Sequence, residues 1–230
     1  MPKIYAFIPA RSGSERVKNK NIKLLNGKPL IEYTIDQAKS SQLITKTFIS
    51  TDYKNLNSKI DINEDIKVIN RPKNISKNTS LDIDWILHLL KKIKDDKPDL
   101  IVLLRPTSPF RSSKFIDISI KKLLTKNDYD SARAVRIVKE HPDKMWLKDG
   151  EKIIPLGGFN KKGEDFHSMQ YKSLRKVYVQ TSSLEILRTK SLIKNGTLSG
   201  KKVLPLFSDY LNSFSIDYEE DFETAKKILK

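Results

Sequence analysis

Apolar positions alternate between short continuous runs and helically spaced stripes along most of the chain. Ile4–Ile8 is an unbroken apolar run that ends at Pro9, and it predicts a first buried strand. Pro29 suits the first turn of a helix, and Leu30, Ile31, Thr34, Ile35 and Ala38 follow at helical spacing. Lys46–Thr51 and Ile66–Ile69 predict two more strands. Thr79 or Ser80 is placed to cap a helix whose stripe is Ile83, Ile86, Leu87, Leu90 and Ile93. Leu100–Leu104 is wholly apolar, as in a strand covered on both faces of a parallel sheet. A helix carrying Ile116, Ile120, Leu123 and Leu124 follows, then a strand over Ser131–Val138. The rhythm breaks between about Glu140 and Lys176, a stretch with few apolar residues, and this predicts an excursion from the sheet in the form of a β-arm. Regular patterning resumes at Val177–Leu187 and Val203–Phe207. The last helix carries Phe222, Ala225, Ile228 and Leu229.

Strands alternating with helices predict an α/β fold: a Rossmann-like, doubly wound, mostly parallel sheet. In such sheets ligands bind where loops leave the carboxyl ends of strands. Four loops follow from that rule: those after Ile8, after Thr51, after Leu104, and after a short strand near Phe214–Ile216.

The 230 residues suit one domain with an appendage, and no internal repeat or disordered tail is visible. There is no Cys, which excludes disulfides and thiolate metal sites, and three scattered His argue against zinc. Met1 leads directly into a strand, and no run approaches the ~20 apolar residues of a membrane helix. A soluble cytoplasmic protein is therefore expected. The formal net charge is +16. The basic residues are spread along the chain, without aromatic interleaving or a nucleic-acid motif, so an anionic substrate accounts for the charge better than DNA or RNA does.

Three segments carry chemistry. Arg11 to Asn21 combines Arg11, Arg16, Lys18 and Lys20 with Ser12 and Gly13 in a small-residue loop. It fits neither GxxxxGK[ST] nor GxGxxG. Arg11, Arg16 and Lys20 suit a triphosphate, Asn21 a ribose or base, and Gly13 a close backbone approach. A solvated basic loop is the competing account. In Leu103 to Arg111 (LLRPTSPFR), prolines stiffen a loop bearing Thr107 and Ser108, flanked by Arg105 and Arg111. The competing account is a rigid turn with two surface arginines. In Phe214 to Phe222 (FSIDYEEDF), Asp217 suits Mg²⁺, which takes one or two carboxylates plus substrate phosphates. Glu219, Glu220 and Asp221 instead suit the positive end of a helix macrodipole.

Six pieces in order, IPARSGSERVKNKN, NGKPLIEYTI, STD, RP at Arg71–Pro72, LLRPTSPFR and SIDYEEDF, resemble the acylneuraminate cytidylyltransferase family. That family makes CMP-activated nonulosonic sugars and is related to CMP-Kdo synthetase. The resemblance runs over nearly the whole chain and implies a single cytidylyltransferase domain over 1–230. It also implies a homodimer, with the excursion over about 140–176 serving dimerisation and the sugar site. The implied reaction joins CTP and an acidic 2-keto-3-deoxy sugar to give CMP-sugar and pyrophosphate, with Mg²⁺ as cofactor. Nucleic acid and membrane are not implied partners. The resemblance gathers Ala10, Arg11, Ser12, Gly13, Arg16, Lys20, Asn21, Arg71 and Ser80 around the nucleotide. Arg11, Lys20 and Asp217 take catalytic places, with Asp217 as metal ligand. Arg105, Thr107, Ser108, Lys144, Gln170 and Tyr178 fall at the sugar.

The chain departs from the family pattern at Glu15, where a Lys or Arg is usual; at Ser215, where a second Asp is usual; and at Arg105, where Gln is usual. The strand over Val177–Ile186 also lacks the usual Asn-Gly. Arg16 is placed to take over the charge missing at Glu15. The changes near the sugar point to an acceptor other than N-acetylneuraminate, and they leave room for a phosphonate or sugar phosphate. A basic nucleic-acid binder and a non-catalytic nucleotide sensor are the alternatives outside this enzyme class.

Overall fold

A computed structural model describes residues 2–60 and 65–230. The chain divides into two compact units, Met1–Ala134 with Thr181–Lys230, and Val135–Gln180.

In the first unit, β1 (Ile4–Ala10) is followed by a small hairpin of β2 (Leu24–Leu25) and β3 (Lys28–Pro29), then α1 (Leu30–Lys39) and β4 (Lys46–Thr51). The chain continues through β5 (Ile66–Asn70), α2 (Asp82–Lys92), β6 (Leu100–Leu103), α3 (Ser113–Leu124) and β7 (Ser131–Ile137). After β8 (Trp146–Asp149) and β9 (Lys152–Pro155) come β10 (Tyr178–Arg188), α4 (Thr189–Asn195), β11 (Val203–Phe207), α5 (Tyr210–Ser213) and α6 (Glu219–Ile228).

The seven-stranded sheet has the order β11-β7-β10-β6-β1-β4-β5. β1 pairs in parallel with both β4 and β6, β4 pairs in parallel with β5, and β10 runs antiparallel to β6. From β1 the chain moves outward to β4 and β5, then returns across β1 to β6. The strand order therefore reverses between β1 and β6, the place where open α/β sheets bind ligands.

β1 reads as a continuous apolar run because both of its faces are covered. Ile4, Ala6 and Ile8 pack in a cluster with Ile31 and Ile35 of α1 and Ile116 and Ile120 of α3. Tyr5 and Phe7 belong to the opposite cluster, with Trp85, Ile86 and Leu89 of α2 and Leu192 of α4. The helices thus lie on both faces, as the doubly wound pattern requires. A third cluster joins Val17, Leu25, Leu30, Ile216, Phe222 and Ala225.

Several local expectations are corrected. Neither Thr79 nor Ser80 caps α2. The Leu81 amide donates to Asp84 Oδ2, and the Ser80 hydroxyl accepts instead from the Lys77 amide. The buried face of α2 is Trp85, Ile86, Leu89 and Leu90, while Leu87 is exposed. Pro29 stands just before α1 rather than inside it. Phe214–Ile216 is not a strand but an extended link between α5 and α6, tied to the loop after β6 by the Ile216 amide donating to the Thr107 carbonyl at 2.8 Å.

The second unit contains the antiparallel β8–β9 hairpin. Its two-residue turn begins at Gly150 with φ of 59°, a backbone conformation that glycine adopts without Cβ strain. Buried His141 accepts the Asp143 amide on Nδ1, and its Nε2 lies 2.9 Å from the Arg175 carbonyl. Among the described residues, no helix is long and apolar enough to cross a membrane.

Candidate active site

A polar cleft of about 470 Å³ opens in the first unit at the strand-order reversal. Its walls come from the loop after β1, the loop after β5, the loop after β6 and the Ser215–Asp217 link. The loop after β4, expected to take part, does not line it. That loop acts from behind, where the Asp52 carboxylate accepts from the Ser12 amide at 2.7 Å and the Ser12 hydroxyl at 2.8 Å.

The loop after β1 is a built structure rather than a solvated basic segment. Val17 is inserted into the third apolar cluster and is 1% exposed. Burying such a side chain contributes roughly 1.5–3 kcal/mol, enough to fix the path of the charged residues on either side. Asn21 is buried and donates from Nδ2 to the Arg11 carbonyl at 2.9 Å. Asn19 takes a left-handed conformation, φ 55°, where the chain turns into the short helix at Lys20. Arg11 donates to the Gly13 carbonyl at 2.6 Å and to Asn78 Oδ1, and Asn78 donates in turn to Glu15. Glu15 therefore tethers the loop after β5 to the loop after β1. Arg16 lies 5.1 Å over the Tyr218 ring.

Lys20 is the most enclosed of these cations. Its ammonium donates to the Ile216 carbonyl at 2.9 Å and stands 3.4 Å from Asp217 Oδ1. Burial lowers its pKa, the nearby Arg16 and Arg11 add to the effect, and Asp217 opposes it. Asp217 keeps a half-exposed side chain on the cleft. Its amide and that of Tyr218 donate to Asp221 Oδ2, so Asp221 caps α6 while Asp217 stays turned toward the cleft. Glu219, Glu220 and Asp221 occupy the first turn of α6, in keeping with the macrodipole account.

A second cluster forms another part of the wall. Arg71 donates from Nε to Ser50 Oγ at 3.0 Å and stacks 5.0 Å over Trp85, and burial lowers its pKa to about 10. Trp85 Nε1 donates to Asp82 Oδ1 at 2.8 Å. Arg105 bridges Asp82 and the buried Glu185, whose other oxygen takes Arg133. Burial works against the Arg105 charge, but Glu185 and Asp82 outweigh it and raise the pKa. Burial likewise opposes the Asp82 carboxylate, and Arg105 and Trp85 still hold it below its ordinary value. Neither arginine of LLRPTSPFR is on the surface. Arg111 is 1% exposed and donates to the Ser183 carbonyl, Gln37 Oε1 at 2.7 Å and Thr34 Oγ1 at 3.3 Å.

The cleft gathers Arg11, Arg16, Lys20, Asn21, Arg71, Ser80, Arg105, Thr107 and Asp217. It does not gather Ala10, Ser12, Gly13 or Ser108. Ala10 and Ser108 are fully buried, Ser12 is held by Asp52, and Gly13 is exposed on the outside of its turn. Lys144, Gln170 and Tyr178 belong to the second unit. There Lys144 donates to the His167 and Met169 carbonyls, while Gln170 and Tyr178 are exposed. Sequence reasoning missed Lys77, Asn78, Asp82 and Trp85. The first two lie in a polar run at a strand end and were open to the same rule that found the other loops. Trp85 is a helix residue whose edge reaches the cleft, and no local pattern marks it.

Among the described residues, no group of three or more His, Asp or Glu is arranged to hold a metal ion. Asp217 offers one carboxylate with unused lone pairs at a cation-rich cleft. That donor set fits a hard divalent ion completed by substrate phosphates and water, and not an all-protein metal cage.

Comparison with known proteins agrees with this geometry. Residues 5–146 match the family model described as cytidylyltransferase. The chain is 30% identical to the CMP-N,N'-diacetyllegionaminic acid synthase of Legionella pneumophila, over 99% of this chain and 97% of that protein. It is 28% identical to the N-acylneuraminate cytidylyltransferase of Escherichia coli O18:K1:H7, over 97% of this chain but only 51% of that protein, so it spans about half the length of that relative. The solved structure of CMP:2-keto-3-deoxy-manno-octonic acid synthetase complexed with CTP superimposes with a TM-score of 0.69, covering 99% of this chain and 98% of the other, at 12% identity. A cation-lined cleft at a β1–β6 switch point, a matching family model and relatives of this kind have one meaning: the chain belongs to the cytidylyltransferase family of nucleotidyltransferases.

Proposed function

We propose that the protein transfers CMP from CTP to an acidic 2-keto-3-deoxy sugar of the nonulosonic type and releases pyrophosphate. The observation that carries this reading is the convergence of Arg11, Arg16 and Lys20 with Asp217 on one cleft at the switch point. The activities named for the Legionella and E. coli relatives support the choice of acceptor class.

In this reading the three cations hold the triphosphate. The sugar's anomeric hydroxyl attacks the α-phosphorus, the bond to the β-phosphate oxygen breaks, pyrophosphate leaves and the hydroxyl proton is lost. Positioning and charge stabilisation then supply most of the rate, and one well-aimed donor is worth about 10²–10³. Asp217 would hold Mg²⁺, which neutralises phosphate charge when bound. Lys20, fixed between Ile216 and Asp217, would keep an ammonium on the phosphates without reorganising.

The β8–β9 hairpin leaves Ile153 and Ile154 exposed, and Phe159 beyond it is exposed as well, which supports burial against a second copy in a homodimer. Lys144, Gln170 and Tyr178 would then serve the sugar. CTP and an anionic sugar account for the positive charge without nucleic acid or membrane, and a cytoplasmic enzyme fits that supply.

The test is incubation with CTP, Mg²⁺ and a panel of 2-keto-3-deoxy sugar acids, phosphonates and sugar phosphates, with products read by mass spectrometry. A CMP adduct of at least one nonulosonate is expected. Adducts confined to phosphonates or sugar phosphates would move the acceptor class. No adduct with any compound would overturn the reading.

A further inference from the structure

Positive charge is unevenly distributed around the cleft. On one part of the wall Arg11, Arg16, Lys20 and Lys77 face two carboxylates, Glu15 and Asp217. On the other, Arg105 is held by Asp82 and, behind the wall, by Glu185, which also pairs with Arg133, while Arg71 is buried with its guanidinium on Ser50 and the Trp85 ring. The arginine in LLRPTSPFR that looked free to bind a carboxylate or phosphate has its guanidinium engaged by two carboxylates of this chain. Glu185 is 1% exposed and both of its oxygens are taken by arginine, so it cannot turn toward a ligand. Asp82 differs. Its side chain is 38% exposed, it stands on the cleft at the first turn of α2, and each oxygen has one partner, Trp85 Nε1 on Oδ1 and Arg105 on Oδ2. An ionised carboxylate has about four lone-pair sites and no donor, so Asp82 retains capacity to accept further hydrogen bonds. Trp85 and Arg105 fix its plane, and Trp85 is itself buried and stacked under Arg71.

We infer that in this second lobe Asp82 accepts a hydrogen bond from an N–H or O–H donor on the uncharged part of the substrate, making Asp82 a specificity-determining residue. This rests on the cytidylyltransferase reading above. The triphosphate and the acceptor's carboxylate belong with Arg11, Arg16, Lys20 and Lys77. The carboxylate of Asp82 is left for a group that donates without carrying negative charge. Two sources share that chemistry: the exocyclic amine of cytosine, and a hydroxyl or acylamino N–H of the acceptor sugar. Once a bound substrate covers Asp82, an acceptor facing a group that cannot donate is penalised more than a weaker contact elsewhere, so discrimination at such a position is large.

The test uses the full-length protein with Asp82→Asn and Asp82→Glu, each checked by its melting transition. CTP and UTP dissociation constants are measured by calorimetry, and KM and kcat are measured for an accepted sugar acid. Asp82→Glu keeps the charge but displaces the oxygens, so a residue that only balances Arg105 would leave it close to wild type. A rise of tenfold or more in acceptor KM in both variants, with CTP affinity unchanged, assigns the donor to the sugar. A tenfold loss of CTP affinity with UTP unchanged assigns it to the base. Both parameters within twofold of wild type, in variants that melt normally, overturn the inference. If neither variant folds, wild-type kinetics with acceptors lacking one hydroxyl or acylamino group at a time, and the CTP-to-UTP affinity ratio, decide. A tenfold effect in either supports the inference, and none beyond twofold overturns it. Wild-type protein that neither binds CTP nor forms a CMP-sugar overturns the parent reading and this one with it. Active wild type with indifferent variants overturns this one alone.

Discussion

Lys20 occupies the most demanding electrostatic position in the cleft. Burial and the neighbouring Arg16 and Arg11 all disfavour its ammonium, and only Asp217 among the charged groups supports it. A lysine whose folded pKa lies below its ordinary 10.5 loses its charge at lower pH than a surface lysine. The buried charge opposes folding below the folded pKa, and that penalty is relieved as pH rises through the folded pKa toward the unfolded one. For activity the sign is opposite, because in the proposed reaction the charged form is the one that grips phosphate. The alkaline limb of kcat/KM should therefore sit below the ordinary lysine range. Asp217→Asn, which removes the one supporting carboxylate, should move that limb to still lower pH in whatever activity remains. Lys20→Met should lower kcat/KM by about 10²–10³, measured as initial rate against CTP, while the melting temperature is unchanged or slightly raised. An unshifted limb in Asp217→Asn would contradict the pairing. Arg11, Arg16 and Lys20 were legible because clustered charge after an apolar strand is a local signal. Ser12 was not, because its fate is set by Asp52, forty positions away and on a different strand end.

The loop after β6 shows how an element can be found for the wrong reason. Its prolines and its place at a buried strand end marked it correctly as part of the site, yet its second arginine is a fastener. Arg111 spans Thr34 and Gln37 of α1 and the Ser183 carbonyl of β10, and so clamps the loop between a helix and a strand. Burial lowers its pKa to about 9, so it stays charged at neutral pH. Arg111→Met would leave Gln37 Oε1 and the Ser183 carbonyl without donors, at a cost of about 3 kcal/mol. At about 2–4 °C per kcal/mol for a chain of this size, the melting temperature should fall by roughly 6–12 °C in scanning calorimetry. Arg111→Lys should recover less than half of that loss, since an ammonium cannot reproduce the planar fork. A loss under 2 °C in Arg111→Met would contradict the role. Helices α1 and α3 were read well because their apolar stripes are the faces they bury. The stripe assigned to α2 included exposed Leu87 and omitted Trp85, because covering the sheet demanded a face that simple spacing does not single out. α4 and α5 have seven and four residues, too short for periodicity to register.

At the scale of the whole chain, alternation of element types was enough to specify a doubly wound sheet, because a parallel sheet needs helices on both faces. The strand order was not legible. The return from β5 across β1 to β6 is a long-range choice made by packing, and it is that return which creates the switch point. The antiparallel entry of β10 beside β6 brings Glu185 to Arg105, a pairing eighty positions apart that converts an apparent anion-binding arginine into half of a neutral pair. In the proposed reaction CTP is cleaved between its α- and β-phosphates and CMP passes whole to the sugar. The most direct measurement follows isotopic label, with CTP labelled at the α-phosphorus in one reaction and at the γ-phosphorus in another, an accepted sugar acid and Mg²⁺. The expected result is α-label in the sugar product and γ-label in pyrophosphate, in equal amounts. γ-Label in the sugar, or γ-label released as orthophosphate with no labelled sugar, would contradict it.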